Sequence, residues 1–93
     1  MTRPRRVDTN HAEIRNGLHQ CGYAVFDTSR FGYGFPDLLV RRGDTLFLLE
    51  VKAGREGLTP MEEAFAALFP VAVVRSLDEA IQAVDWPPTP PPP

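Results

Sequence analysis

Ninety-three residues, 43% of them hydrophobic, with a net charge of −2 and one cysteine, bound the chain to one small domain. Cys21 has no second thiol to pair with and points to no particular compartment; no apolar run is long enough to cross a bilayer or to follow residues 1–6 as a secretion signal, so a cytoplasmic location, in a bacterial or phage-infected cell, is expected. Residues 1–42 carry seven Arg against four acids (+3) and residues 43–93 three bases against eight acids (−5), so the acidic total does not exclude nucleic acid: the basic half can track phosphates. A chain this short buries only ~60% of its unfolded surface, which makes oligomerisation an expectation too.

Residues 1–8 form a basic N-terminal arm with Arg3, Arg5 and Arg6, residues 9–85 a single domain, and residues 86–93 a proline-rich tail expected as polyproline II or disordered. The first helix is predicted from about Asn10 to Cys21, with Asp8, Thr9 or Asn10 as N-cap and Gly22 ending it. Ile14, Leu18 and Cys21 follow i, i+4, i+7 spacing and are its expected buried stripe. Glu13 lies about 100° from Ile14, on the border of that stripe, where a carboxylate can look across the sheet edge. His11 and His19 do not have the spacing of a metal-binding pair and are expected at the surface or against DNA.

Tyr23 to Asp27 reads as the first strand, and Thr28 to Phe35 as a loop rich in glycine and aromatics. It lacks the ending of a P-loop. Ser29, Arg30 and Tyr33 in this loop, Arg15 on the helix and Arg5 and Arg6 of the arm are the residues expected to contact DNA.

Pro36 to Arg41 and Thr45 to Lys52 read as two strands joined by a turn at Arg42-Gly43-Asp44. Period-two alternation puts Glu50 and Lys52 on one face, and antiparallel pairing brings Asp37 to the same end of the hairpin. Register decides whether Asp37 shares their face, because a slip of one residue would turn it away. Hard cations such as Mg2+ prefer carboxylate and water oxygens and bridge one or two carboxylates to a phosphate, which Asp37 and Glu50 fit. A cation so held stabilises phosphoryl charge and makes hydroxide available near neutral pH. Lys52, the single Lys beside nine Arg, is suited to orient the attacking water or to stabilise the transition state. Leu46 to Leu49 are apolar on both faces, the pattern of a strand covered on both sides.

After the flexible link 53–57, Thr59-Pro60-Met61-Glu62 is a capping box with proline at the first helical position. Met61, Ala64, Phe65 and Leu68 are the expected core stripe of that helix. Pro70 to Val74 is a last strand, and Ser76 to Glu79 a second capping box opening a helix through Val84.

Gly34-Phe35-Pro36-Asp37-Leu38-Leu39-Val40, Leu49-Glu50-Val51-Lys52 and Leu58-Thr59-Pro60 together resemble the PD-(D/E)XK nuclease superfamily, in particular its small VRR-NUC branch, over roughly residues 9–84. The resemblance implies an α/β restriction-endonuclease-like core in the order α-β-β-β-α-β-(α), with a mixed central sheet flanked by helices. It implies a metal-dependent endonuclease acting on DNA, with Mg2+ or Mn2+ held by Asp37, Glu50, the Val51 carbonyl and Glu13, and Lys52 at the attacking water. Small members of the branch are similar to junction-resolving dimers, so a homodimer and a branched or Holliday-junction substrate are implied as well. Glu62 stands where the family usually has Gln, and the resemblance implies for it a place behind the residues that hold the metal. The competing expectation is a non-catalytic nucleic-acid or protein-binding module that keeps the fold.

Overall fold

The computed structural model describes residues 6–85, and their side chains from residue 9 onward. The arm with Arg3 and Arg5, the side chain of Arg6 and the tail 86–93 lie outside the described residues.

Helix α1 spans Arg6–Gln20, so it begins a turn before the caps expected at Asp8, Thr9 or Asn10. Asn10 is inside the helix, and its amide Nδ2 donates to the Lys52 carbonyl at 2.9 Å and to the Arg75 carbonyl at 3.1 Å. Those two strand-end carbonyls, rather than a free helix end, satisfy the side chain. At the other end Gly22 takes φ 93° and its N–H returns to the His19 carbonyl, a left-handed termination that costs glycine little. The chain leaves the helix before Cys21 can join the stripe. Ile14 and Leu18 are fully buried and Cys21 is exposed, which corrects the core placement expected for it.

Strands β1 (Ala24–Asp27), β2 (Leu38–Arg42), β3 (Thr45–Val51) and β4 (Ala72–Val74) form one mixed sheet in the order β1-β2-β3-β4. The first three pair antiparallel and β4 pairs parallel to β3. A parallel pair needs a crossover, and helix α2 (Pro60–Leu68) lies within it, while α3 (Leu77–Asp85) follows β4. The molecule is thus a small α/β domain with a four-stranded mixed sheet and flanking helices.

Register divides the sheet into two unlike faces. Val25 pairs with Val40 and Val40 with Phe47, Leu38 with Leu49, Leu49 with Ala72, and Val51 with Val74; directly opposed residues share a face. On this face Leu38, Val40, Leu49, Val51 and Val74 meet Ile14 and Leu18 of α1 and Ala80 and Val84 of α3 in one buried cluster. Each large aliphatic buried there contributes about 1.5–3 kcal/mol. Gly17 lets the helices close up, since a Cβ there would strike Leu77 of α3.

The opposite face carries Phe26, Leu39 and Leu48 in one cross-strand row and Ala24, Arg41 and Leu46 in the next. Phe26 is 60% and Leu46 63% exposed, so on this side β3 is open at its Leu46 end and closes only toward Glu50, a correction to its two-sided apolar pattern. Helix α2 does not cover this face with a buried stripe either. None of its residues is buried, and Leu68 is 78% exposed. It leans on the 28–36 loop instead, where Phe35 stacks on Phe65 with ring centroids 5.1 Å apart and Phe65 on Phe69 at 5.0 Å.

Candidate functional site

The hairpin register continues past Leu38↔Leu49 to set Asp37 opposite Glu50. Their side chains therefore share the face that α1 and α3 leave open, and Lys52, two residues beyond Glu50, shares it too. Thr28 braces the start of the hairpin. Its N–H donates to the Asp37 carbonyl at 2.9 Å and its buried hydroxyl to the Pro36 carbonyl at 2.6 Å. Thr28, directly after β1, thus anchors both carbonyls.

Asp37 Oδ2 accepts the Val51 N–H at 2.9 Å, which fixes the carboxylate across the hairpin. Val51 itself is buried, its N–H facing Asp37. Glu50 and Lys52 are buried polar residues, only 3% and 7% exposed. Lys52 Nζ lies 2.7 Å from Glu62 Oε1 and 3.8 Å from Glu50 Oε1. Burial is the first cause that pushes the Glu50 carboxyl up, to about 9, and the Glu62 and Asp37 carboxylates within hydrogen-bonding reach add to it.

Glu62 responds oppositely. Burial alone would raise it, yet hydrogen bonds from Lys52 and from the Thr59 N–H outweigh that and hold it at about 2. Lys52 would be lowered by burial, but the Glu62 and Glu50 carboxylates more than compensate and raise it, so it is a cation. Glu62 owes its place to the capping box at the start of α2. Thr59 Oγ1 accepts from the Glu62 N–H at 3.2 Å while Glu62 Oε1 accepts from the Thr59 N–H at 2.8 Å. The same carboxylate oxygen serves cap and lysine together. Gly34 allows this arrangement, because any Cβ there would collide with the Met61 carbonyl in the first turn of α2.

Three carboxylates and one ammonium thus crowd together, with the Glu50 carboxyl displaced far above its ordinary range by burial and by its carboxylate neighbours. Asp37 and Glu50 offer oxygens of the type a hard divalent cation takes when it keeps most of its water. Among the described residues no group of three or more His, Cys, Asp or Glu side chains is arranged as a ready cage.

The other expected residues fall elsewhere. Glu13 is exposed on α1, one turn before Gly17, and makes no hydrogen bond or ion pair with Asp37, Glu50 or Lys52 among the described residues. Arg15 Nη1 is paired to Asp27 Oδ2 at 3.1 Å, and both the N–H and hydroxyl of Ser29 donate to Asp27 Oδ1 at 3.0 and 2.6 Å. Burial would raise Asp27, but the two Ser29 bonds and then Arg15 hold it low. His11 is largely buried, not at the surface, with its Nε2 3.7 Å from Asp27 Oδ1 and no hydrogen-bond partner among the described residues. His19 is exposed in the last turn of α1. Arg30 is exposed and makes no hydrogen bond or ion pair among the described residues, and Tyr33 is 88% exposed at φ 58°.

Thr28 and Asn10 are the site supports that the sequence did not announce. A Thr directly after a strand has no pattern of its own, and Asn10 reads as a cap. Comparison with family models, curated proteins and solved structures returns no match for the chain.

Proposed function

We propose that the chain is a metal-dependent endonuclease of the PD-(D/E)XK type, hydrolysing DNA phosphodiester bonds on a restriction-endonuclease-like core. The observation that carries this reading is the hairpin register, which sets Asp37 opposite Glu50 on the face of Lys52, together with the carboxyl crowding that pushes Glu50 up to about 9. Such crowding is costly in a site with no cationic ligand and is relieved by one.

Asp37 and Glu50 would hold Mg2+, with Mn2+ able to substitute, and the Val51 carbonyl is a third ligand implied by the family resemblance. The bound cation would supply charge neutralisation at the phosphoryl oxygens and lower the pKa of water there. Asp37 is oriented for this by the Val51 N–H. Lys52 acts as a protonated donor, not a base, since the carboxylates around it raise its pKa: it orients the attacking water or stabilises charge developing on the phosphate. Glu62 positions the ammonium through its 2.7 Å ion pair. Glu13, exposed on α1, has at most an auxiliary part. A branched substrate and a homodimer are the specific forms that the resemblance favours. The uncovered apolar rows of the sheet offer a second copy something to bury.

The test is cleavage of linear, flap and four-way DNA with Mg2+ or Mn2+. Wild type should cut at least one substrate, Asp37→Ala should cut none, and Lys52→Ala should be slower by about 10²–10³-fold, the scale of losing one charge-stabilising donor. If wild type, Asp37→Ala and Lys52→Ala bind DNA alike and none cuts with either metal, the enzyme reading fails and a binding module replaces it.

A further inference from the structure

Tyr33 of the 28–36 loop and the Met61, Ala64, Phe65 and Leu68 side chains of α2 border a shallow, open hollow of about 260 Å3. Tyr33 is unusual twice over. It is the one non-glycine residue with positive φ (58°) among the described residues, and its ring is 88% exposed. Left-handed backbone disfavours a bulky side chain and water disfavours an aromatic ring, so neither feature serves the fold. The surrounding loop is nevertheless firmly held: Phe31 stacks on Phe35 with centroids 5.1 Å apart, Phe35 stacks on Phe65, and Gly34 abuts the Met61 backbone. A rigid mount thus presents one exposed ring over an apolar floor.

We infer that this hollow receives an unpaired nucleobase, stacked on Tyr33, so that the strand engaged at the carboxylate cluster is single-stranded or splayed next to the point of attack. The inference rests on the endonuclease reading for the role of the neighbouring cluster. Three features favour a base. The loop offers the hollow a single exposed ring, Tyr33, set against the apolar side chains of α2. Arg30, three residues before Tyr33 and without a partner among the described residues, supplies a cation for the adjoining phosphate. Met61, in the floor, is followed by Glu62, whose carboxylate holds Lys52, so the base and the candidate site share one wall. Stacking on an exposed aromatic is tolerant of sequence, because every base has a π-face.

The test is fluorescence anisotropy of the full-length protein in EDTA, with a labelled single strand, a blunt duplex and an abasic strand of equal length. Wild type should bind the single strand more tightly than the abasic strand. Tyr33→Ala should weaken single-strand binding about tenfold and leave the duplex unchanged, while Tyr33→Trp preserves it. Tyr33→Gly should weaken binding equally yet raise the melting temperature by relieving the positive φ, an outcome that loss of folding cannot imitate. Equal binding of abasic and intact strands, unchanged affinity in Tyr33→Ala, or no binding of the single strand by wild type overturns the inference. So does a Tyr33→Ala effect confined to self-association in sedimentation, which would make the hollow a contact between copies. Cleavage assays separate the two readings: duplex cutting indifferent to Tyr33 leaves the nuclease and removes the base pocket, whereas base-dependent binding without cleavage under Mg2+ does the reverse.

Discussion

The two faces of one four-stranded sheet are built from similarly apolar residues and treated in opposite ways. On the α1/α3 face Leu38, Val40, Leu49 and Val51 are sealed from water, and the carboxylate that β1 adds there, Asp27, is consumed by Arg15 and Ser29. On the other face Phe26 and Leu46 remain open, and the last row holds Asp37 and Glu50 close together with Lys52. Stability is concentrated on the first face and unresolved charge on the second. A protein that needs reactive groups held rigidly gains from this separation, because the covered face supplies the cohesion that the crowded one lacks.

The sharpest probe of the covered face is Leu49→Ala, which should cost about 2–5 kcal/mol in chemical denaturation by leaving a cavity among Leu38, Ala72 and Val74. Next comes Glu50→Gln. With a folded pKa of about 9 against an ordinary 4.5, the folded state of the metal-free protein keeps a proton that the unfolded state releases, so stability is greatest below about pH 4.5 and falls as pH rises toward 9. Glu50→Gln should remove that decline and melt higher than wild type at pH 8, each kcal/mol recovered being worth about 4–8 °C in a domain of this size. Glu62 runs the other way: held at about 2, it contributes stability above pH 4.5 that is lost as pH falls toward 2. Thr59→Ala should cost about 0.5–2 kcal/mol as a lost helix cap and loosen α2 without unfolding the sheet. Smallest is Leu46→Ala, within about 0.5 kcal/mol in dilute protein. A larger, concentration-dependent loss would mean that a second copy covers the open face, and the contrast between faces would then belong to the monomer alone.

Much of this was legible from sequence, for identifiable reasons. The hairpin followed from two alternating runs and a glycine turn, and the capping box at Thr59 from a Thr-Pro-x-Glu spacing whose physics is local. Element order was readable throughout, with α1 starting a turn early and the strand ends displaced by a residue or two: β2 begins at Leu38 instead of Pro36 and β4 at Ala72 instead of Pro70, since prolines cannot donate to a ladder. What the sequence hid was coverage. Leu46 to Leu49 have one pattern whether one or two layers pack on the strand, and the Met61-Phe65-Leu68 stripe looks the same facing a core or water. Register was also undetermined by pattern alone, because both faces of β3 are apolar. Ser76 caps α3 as expected, accepting the Glu79 N–H, but the Glu79 carboxylate returns to the Arg75 N–H, a variant that spacing does not distinguish.

Asn10 ties the Lys52 carbonyl to α1 while the Lys52 N–H is bound to the Val74 carbonyl at 3.0 Å. The residue is therefore clamped by its main chain on both sides, and whatever travel the ammonium has must come from four side-chain torsions turning about a stationary root. Lys52 behaves as a lever on a fixed fulcrum. Its tip can leave Glu62 for Glu50, 3.8 Å away, or for another acceptor by rotation alone, without any strand having to move.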